Sequence, residues 1–366
     1  MLNIRTVQAA FGDSLILEFG AAAQPRYVLI DGGPKGVYEN DLEAVLKSIK
    51  AAGHDLDLVV LSHVDNDHVV GLLDYFSNLE EEVANGTATL PRAKGLWHNS
   101  FADTIGKGND IQMQLQTAIG TAAATMTDAS KGFLAIGEGR QLRIRAFQLG
   151  VPLNAPVQGN TVTVNAAAAP VQLANLTLRV VGPTEANLDA LRKEWVKWLD
   201  KYKDKIKTDP QVAKMADKSI PNLSSIVLWA EADGKTLLLT GDARGDFVIE
   251  GLEDAGIKKK GKPLAMDVLK LPHHGSNRNV DQAFFRTLTA KTYVVSADGT
   301  HDNPDLDTLG WIATAAKQRN EKVTIWATNQ TTATKAFQQK FKVSEYPYTI
   351  RFRNPASHSM DLPLAP

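Results

Sequence analysis

The 366-residue chain contains no cysteine, so disulfide bonds and thiolate metal sites are excluded. Any metal ion would have to be bound by histidine, aspartate, glutamate or asparagine side chains. The chain also lacks an excess of charge of one sign, since its 40 basic and 41 acidic residues leave a formal net charge of −1. A global positive field that steers the protein onto nucleic acid is therefore absent, although a local basic patch is not excluded.

Long hydrophobic runs are also missing. No window approaches the roughly 18 consecutive apolar residues of a membrane-spanning helix, so we expect no membrane association. The segment from Met1 to Phe19 reads as a strand and lacks the basic region and continuous apolar stretch of a signal peptide. We therefore expect a cytoplasmic protein of ordinary globular composition, with 43% hydrophobic and 22% charged residues.

Four short apolar segments, each predicted as a strand, end at a polar cluster. The clusters are Asp31, residues 63–68, Asp242 and residues 273–274. Apolar residues at helical spacing over residues 39–52 predict a helix between two of these strands, which favours a layered α/β fold. Polar side chains at the ends of buried strands indicate a shared site at one edge of a sheet, where loops on a rigid scaffold carry function.

The densest cluster is the hexapeptide His63-Val64-Asp65-Asn66-Asp67-His68. It supplies two imidazoles and two carboxylates within six residues, a donor set that suits a divalent ion in a cysteine-free chain. A lone Asp–His pair is more often an ordinary surface turn, but here several histidines lie at strand ends beside aspartates. The pattern predicts two ions about 3.5–4 Å apart that share a water or hydroxide, with Asp242 and His274 completing the site.

The hexapeptide resembles the His-x-Asp-x-Asp-His signature of one branch of the metallo-β-lactamase superfamily, the branch that contains the hydrolase domain of the DNA-uptake protein ComEC. Further segments resemble that branch in the same order along the chain. They are Phe11–Leu15, Leu29–Gly33, Asn222–Ser225, Leu239–Asp242 and Lys270–Ser276. Each segment alone is weakly specific, whereas the ordered set is highly specific.

The resemblance implies an α/β fold, the four-layer αββα metallo-β-lactamase sandwich, with the metal site at the edge between the two sheets. We expect a single domain over residues 1–355 with a helical insertion at about 77–220. Residues 356–366 are expected to form a loosely attached tail. The insertion departs most from a minimal core and is expected to determine substrate specificity.

The resemblance also implies a ligand set for two ions. The ligands are His63 and Asp65 on the first ion, Asp67, His68 and His274 on the second, and Asp242 as the bridge. Asp31 would orient a ligand histidine by accepting its other N–H. Zinc is the expected metal, with manganese as the alternative because Asp65 replaces the commoner imidazole and carboxylate-rich sites favour harder ions.

The chain departs from the superfamily pattern at the third ligand of the first ion. Where many members have a histidine, this sequence has Pro221–Ser225, and Asn222, Asn99, His98 or water remains as the candidate. The branch often has His-Pro in the loop that follows the next strand. This chain has Asn303-Pro304 there, and His301 either compensates or is an exposed loop histidine.

The expected activity is hydrolysis of a phosphodiester or related phosphate ester by a hydroxide that bridges the two ions. Asp67 and His273 are the candidate catalytic residues, with His273 polarising the substrate or protonating the leaving group. Ser276 and Arg278 are candidates for substrate binding because arginine matches the geometry of phosphate.

The substrate class stays open at this point. Nucleic acid is one candidate, and the basic run at residues 257–262 is either a contact for its backbone or a surface turn. The first alternative is hydrolysis of a carbonyl ester, such as a lactone or thioester, at the same site. The second is a metal-binding effector module whose activity is weak or depends on a protein partner.

Overall fold

The computed structural model describes residues 1–99, 131–202 and 224–364 of the chain. Within these ranges the strands form two sheets that face each other, and helices cover the two outer faces. The chain also makes short helical turns at Tyr38–Leu42, Ala155–Val157, Pro272–Gly275 and Thr300–Asp302.

The first sheet draws most of its strands from the N-terminal third of the chain. Among the described residues these strands are β1 (Leu2–Val7), β2 (Leu15–Ala21), β3 (Gln24–Ile30), β4 (Leu56–Leu61), β5 (Leu96–His98) and β14 (Ser359–Leu364). They lie in the order β14-β1-β2-β3-β4-β5, with β3, β4 and β5 parallel to one another. Every residue of β4 is buried, as expected for a parallel strand that is covered on both faces.

The second sheet comes from the rest of the chain. Its described strands are β6 (Val171–Leu173), β7 (Leu176–Gly182), β8 (Val227–Ala232), β9 (Lys235–Leu239), β10 (Leu264–Lys270), β11 (Leu288–Val295), β12 (Val323–Ala327) and β13 (Tyr348–Phe352). Their order is β13-β12-β11-β10-β9-β8-β7-β6, and β9 to β13 run parallel. The carboxyl ends of β9 and β10 therefore reach the same edge.

The helices lie outside the two sheets. The described helices are α1 (Glu43–Ala51), α2 (Asn66–Asn85), α3 (Lys131–Gln148), α4 (Glu185–Tyr202), α5 (Gly245–Asp254), α6 (Gln282–Thr287), α7 (Leu306–Arg319) and α8 (Thr332–Lys340). Within the described ranges, none of them combines the length and apolar composition that crossing a bilayer requires.

Three apolar clusters hold the layers together. Side chains from both sheets, among them Leu17 and Val60 from the first and Leu228 and Val268 from the second, form the core between the sheets. A second cluster joins the first sheet to α1 and α2. A third joins the second sheet to helices α5 to α8. This helix–sheet–sheet–helix order confirms the predicted αββα sandwich.

The segment predicted as a loosely attached tail is corrected by the structure. Residues 359–364 form β14, which pairs antiparallel with β1 along six consecutive residues. The physical reason is an alternating pattern, in which Met360 and Leu362 turn inward and are buried while Asp361 is exposed. Pro363 is compatible with this position because β14 is an edge strand.

The stretch predicted as a helical insertion contributes to both sheets. It contains helices α3 and α4, but it also supplies β5 beside β4 and β7 beside β8. Much of this stretch is thus part of the sandwich, and α3 packs on α2, the helix that follows the metal-binding hexapeptide.

Candidate metal centre

The polar clusters predicted at the strand ends meet at one edge of the sandwich. The chain leaves β4 at Leu61 and enters α2 at Asn66, so residues 62–65 form the turn between them. Asp242 follows β9, and the turn Pro272–Gly275 follows β10, the neighbour of β9 in the second sheet. Because these turns leave the same edge, ligands from distant parts of the sequence converge there.

The carboxylate of Asp242 lies at the middle of four imidazole rings. One oxygen, Oδ1, is 3.4 Å from Nε2 of His68. The other, Oδ2, is 3.6 Å from Nε2 of His274, 3.7 Å from Nε2 of His273 and 3.9 Å from Nε2 of His63. All four rings present the same nitrogen to one carboxylate, so this carboxylate could share a metal ion with any of them.

The two remaining aspartates of the hexapeptide flank this centre on different sides. Asp67 has its Oδ2 atom 3.3 Å from Nε2 of His274 and its Oδ1 atom 3.9 Å from Nε2 of His68. Asp65 lies by His63 instead, with Oδ2 at 3.5 Å from Nε2. The side chains thus fall into a group around His68 and His274 and a group around His63.

One set of ligand atoms is compact enough for a single ion. The atoms offered by Asp67, His68, Asp242 and His274 all lie within 4.8 Å of one another. Four donors of this kind, two imidazoles and two carboxylates, suit zinc or a similar divalent cation.

The unpaired atoms at this centre fit a bound cation. Among the described residues, Nε2 of His63, His68 and His274 and Oδ1 of Asp242 are buried with no hydrogen-bond partner. Buried polar groups nearly always have a hydrogen-bond partner, and a buried group without one costs about 1–3 kcal/mol of stability. Divalent ions would provide a partner for each of these atoms, so the residues present fit the metal centre that the resemblance implies.

Asp31 supports the ring of His68 from behind. Its Oδ2 atom lies 2.9 Å from Nδ1 of His68 and also accepts a hydrogen bond of 2.7 Å from the Ser62 hydroxyl. The backbone N–H of Ser62 donates to the other oxygen at 2.7 Å. With its hydrogen committed to Asp31, the Ser62 hydroxyl is left to accept from Nδ1 of His63 at 3.1 Å. Nε2 of both rings then faces Asp242.

A close backbone contact holds this turn against α2. A Cβ atom built on Gly71 would lie 1.9 Å from the carbonyl oxygen of Gly32, the residue after Asp31. Glycine at both positions therefore lets the Asp31 turn reach the first turns of α2, where His68 lies.

A buried ion pair stands behind His274. Asp13 and Lys270 are each only 1% exposed and contact each other directly. The Oδ1 atom of Asp13 lies 3.3 Å from Nδ1 of His274, which also bonds the Ser296 carbonyl at 3.1 Å. Lys270 contacts the carbonyl of Gly241 at 3.4 Å, next to Asp242. The pair thereby links the turns that carry two of the candidate ligands.

Electrostatics within the centre are strong. Burial disfavours the charged form of His68, but the carboxylates of Asp242 and Asp31 raise the pKa of His68 well above its usual range. Burial also disfavours the charged form of His274, but the carboxylates of Asp242 and Asp13 raise the pKa of His274 to about 10. The field that retains protons on these imidazoles is the field that would attract a divalent cation.

The carboxylates respond in the opposite direction. Burial opposes ionisation of Asp242, but the imidazoles of His274 and His273 lower the pKa of Asp242 well below its usual range. Burial is also outweighed at Asp67, where His68 and His274 lower the pKa. Both side chains are therefore carboxylates at neutral pH, the form that binds metal ions.

His273 differs from the other rings in its exposure. Its side chain is 26% exposed, whereas those of His63, His68 and His274 are at most 2% exposed. Both His273 (φ 47°) and His274 (φ 56°) adopt the left-handed backbone conformation, which is unfavourable for residues other than glycine. This strained turn points two consecutive imidazoles toward the same carboxylate.

The three residues predicted as candidates for the third ligand of the first ion lie in different places. The amide of Asn99 is engaged on both sides by the backbone of Val162, at 2.8 and 2.7 Å, so the structure does not bring it to the centre. His98 is buried at the end of β5 with its ring close to Val64 and Gly139. Asn222 lies outside the described residues.

The candidate substrate-binding residues follow the His273–His274 turn. Ser276 is buried, and its hydroxyl accepts from the backbone N–H of Arg278 at 3.4 Å. Arg278 is exposed. His301 is exposed in the turn Thr300–Asp302, and its ring meets the edge of Phe11 with 5.8 Å between ring centres.

Sequence reasoning did not assign roles to Asp13, Lys270, Ser62 or Asn279. A signal for one of them was present, since Lys270 is a charged residue at the end of the apolar segment Leu264–Leu271. Lysine is almost never fully buried without a partner. The partner, Asp13, is separated from it by most of the chain, and its identity follows only from the fold.

Comparison with known proteins agrees with this architecture. Residues 25–133 match the family model described as metallo-beta-lactamase superfamily. ComE operon protein 3 of Bacillus subtilis (strain 168) is 35% identical to this chain over 81 residues, which is 22% of the chain and 10% of that protein. The chain thus matches only about a tenth of the length of that relative.

A solved structure of a diphosphatase from the PhnP family is also similar. It is 12% identical with a TM-score of 0.41, and the alignment covers 100% of this chain and 98% of that one. The αββα layers and the family match support the metallo-β-lactamase fold for this chain, and Asp67, His68, Asp242 and His274 could hold a divalent ion. The resemblance to the ComEC-type branch is confirmed as well.

Proposed function

We propose that this protein hydrolyses phosphate esters, most readily phosphodiesters, at a centre that holds two divalent ions. The observation that carries the proposal is the position of Asp242, whose two carboxylate oxygens lie within 3.9 Å of four imidazole nitrogens. Dinuclear sites of this kind are common among phosphatases and nucleases.

The ligands divide between two ions with Asp242 shared. His68, His274 and Asp67 serve the second ion, and His63 and Asp65 serve the first. His273 also directs Nε2 at Asp242 and is assigned to proton transfer, so the third ligand of the first ion stays open.

The charge at the centre supports two ions. Five carboxylates and one lysine lie within this network, namely Asp13, Asp31, Asp65, Asp67, Asp242 and Lys270. With neutral histidines they leave four negative charges, which two divalent cations would balance. We propose zinc as the metal and manganese as the alternative, because the set combines imidazoles with many carboxylates.

When bound, the ions would supply an activated water molecule and would neutralise charge that develops on the phosphate oxygens. Asp67 would hold the second ion, and its side chain, 22% exposed, could also hydrogen-bond a water molecule beside it. His273 is the imidazole that substrate can reach, and it carries the proton between the attacking water and the leaving group.

The substrate side of the site is the turn after His274. Arg278 is exposed there and is suited to a phosphate oxygen, with Ser276 beside it. In the basic run at residues 257–262, Lys258 is buried against Glu253 at 2.7 Å, which leaves Lys259, Lys260 and Lys262 for a nucleic-acid backbone.

Because both sheets take strands from distant parts of the chain, we also propose a single domain.

A panel of chromogenic substrates tests the proposal. Zinc-loaded and manganese-loaded protein would be assayed with bis(p-nitrophenyl) phosphate, p-nitrophenyl phosphate, an aryl lactone, an aryl thioester and a β-lactam. We expect the diester to be hydrolysed fastest. Preferential hydrolysis of the lactone or thioester would replace the phosphoester assignment by a carbonyl one, and no turnover despite bound metal would favour an effector module.

A matched pair of variants ties turnover to the centre. Asp242→Ala should abolish hydrolysis, whereas Asp246→Ala should leave it unchanged, because Asp246 is exposed and forms an ion pair with the neighbouring Arg244. For nucleic acid, single-stranded DNA and RNA binding should weaken steeply as salt concentration rises. Binding that is insensitive to salt would remove nucleic acid from the candidate substrates.

A further inference from the structure

Asn279 lies in the turn beyond His274 and contacts two residues of the centre and one of helix α5. Its side-chain Oδ1 is 2.7 Å from Nδ1 of His273. Its Nδ2 donates to the backbone carbonyl of Asp242 at 3.0 Å. Its own carbonyl accepts from the N–H of Gly245, the first residue of α5, at 2.7 Å. We propose that Asn279 is a positioning residue that fixes the tautomer of His273.

The direction of the hydrogen bonds follows from the backbone. The carbonyl of Asp242 has no hydrogen, so the amide group of Asn279 that faces it must be the NH₂ donor. The oxygen of that amide is then the atom that faces His273. An amide oxygen can only accept, so Nδ1 of His273 carries the hydrogen.

This assignment leaves Nε2 of neutral His273 without a hydrogen. Nε2 is the atom that lies 3.7 Å from Oδ2 of Asp242, at the one ring of the four that is partly exposed. A lone pair of electrons at that point is available to a proton or a cation. The opposite tautomer would turn an N–H toward the centre and leave two acceptors, Nδ1 and the Asn279 oxygen, facing each other.

Two hydrogen bonds join the turn that carries His273 to the segment Gly241–Asp242. The backbone N–H of His273 donates to the carbonyl of Gly241 at 3.2 Å. Asn279 bonds the carbonyl of the next residue, Asp242, so the two contacts fix the ring and the bridging carboxylate relative to each other. The strained backbone of His273 is thereby retained in the conformation that aims its ring inward.

Asn279 is neutral, which distinguishes His273 from His68 with its Asp31 carboxylate. The amide oxygen of Asn279 orients the ring by accepting one hydrogen bond from Nδ1. Resting on the proposed function, His273 takes the proton of the attacking water at Nε2. As the bond between that oxygen and phosphorus forms and the bond to the leaving oxygen breaks, Nε2 passes the proton to the leaving oxygen.

The tautomer can be read directly by ¹⁵N-detected imidazole NMR on histidine-labelled protein, both after chelator treatment and with zinc bound. The His273 signals are assigned from the spectrum of His273→Asn. In the wild type we expect a protonated Nδ1 and an unprotonated Nε2. Asn279→Leu should lose this preference and mix the two tautomers, because the acceptor oxygen that faces Nδ1 is removed.

Asn277→Leu is the matched control, because Asn277 is an exposed asparagine in the same turn. It should leave the His273 signals and the zinc content as in the wild type. For Asn279→Leu we also expect turnover of the diester to fall about 10- to 100-fold, the range typical of residues that orient a functional imidazole.

The outcomes separate this inference from the proposed function. A wild-type spectrum with Nε2 protonated, or an Asn279→Leu spectrum identical to that of the wild type, would overturn the role of Asn279. The expected spectra without hydrolysis of any phosphate ester would support the role of Asn279 and would refute the phosphoesterase proposal alone.

Discussion

Lys270 and Asp13 form an ion pair between two residues that are each 1% exposed and lie far apart in the sequence. Burial opposes ionisation of Asp13, but Lys270 and His274 lower the pKa of Asp13 below its usual range. Asp13 is therefore ionised and supports His274 from the side opposite Asp242.

Removing one partner of this pair should destabilise the fold strongly. We expect Lys270→Met to lower the free energy of unfolding by about 3–5 kcal/mol, because it leaves a buried carboxylate without a counter-charge. Urea denaturation of zinc-free protein measures this. Lys291→Met is the control, since Lys291 also pairs with an aspartate but is 77% exposed, and it should change stability by at most about 1 kcal/mol.

The double variant Asp13→Asn/Lys270→Met refines the test. It removes both charges together, so it should recover most of the stability that the single variant loses. A Lys270→Met protein as stable as the wild type would contradict the description of this pair.

Stability of the zinc-free protein should depend on pH through His274. Burial lowers its affinity for a proton, but the carboxylates around it raise the pKa of His274 from 6.5 to about 10. A raised pKa in the folded state stabilises the fold fully below the unfolded value, and that contribution is lost as the pH rises through the folded value. Stability should therefore fall between pH 6.5 and about pH 10.

Urea unfolding of chelator-treated protein at both ends of that pH range provides the measurement. His274→Asn is the comparison, because it lacks the titrating ring and should show a smaller decline. Equal declines in the two proteins would show that His274 is not held protonated by its neighbours.

Asp31 should contribute to metal affinity through His68. We expect Asp31→Asn to weaken zinc binding about 10- to 100-fold, as is usual when the carboxylate behind a ligand histidine is lost. Asparagine suits the test because it tolerates the positive φ of 60° at this position. Zinc titration against a competing chelator measures the affinity.

The control for that experiment is Asp41→Asn. Asp41 also contacts a histidine, His358, at 3.1 Å, but that histidine is exposed and lies outside the metal centre. The zinc affinity of the Asp41→Asn protein should equal that of the wild type. An Asp31→Asn protein with undiminished affinity would show that the Asp31–His68 contact does not support the ligand.

The contact between Gly71 and Gly32 should tolerate no side chain. A Cβ on Gly71 would be 1.9 Å from the Gly32 carbonyl, so Gly71→Ala must push the Asp31 turn away from α2. We expect a loss of about 1–3 kcal/mol in unfolding free energy, together with weaker zinc binding. Gly95→Ala should be nearly neutral, since the nearest atom to its Cβ is a leucine methyl at 3.5 Å.

Much of this architecture could be predicted from local sequence. The αββα layers follow from strand and helix periodicities together with the family resemblance, and the hexapeptide marks the turn after β4. Asp242 and His274 were predicted to join it because they follow other buried strands. Their convergence reflects a general property of parallel strands, whose carboxyl ends share an edge.

The rest depends on contacts between segments that are distant in sequence. The partner of Lys270 lies in the turn before β2, and no local pattern names it. The edge strand β14 was missed because its alternation is short and contains a proline. Asn279 acts through the Asp242 backbone carbonyl, and such a contact leaves no trace in residue type.

Zinc titration of metal-free protein, with bis(p-nitrophenyl) phosphate turnover as the readout, tests the central claim most directly. For the wild type we predict activity that rises with added zinc and saturates near two ions per chain, the number that we propose for the ligands around Asp242. Asp242→Ala should remain inactive at every zinc concentration. Turnover by the wild type without metal, or zinc-dependent turnover by Asp242→Ala, would contradict the account.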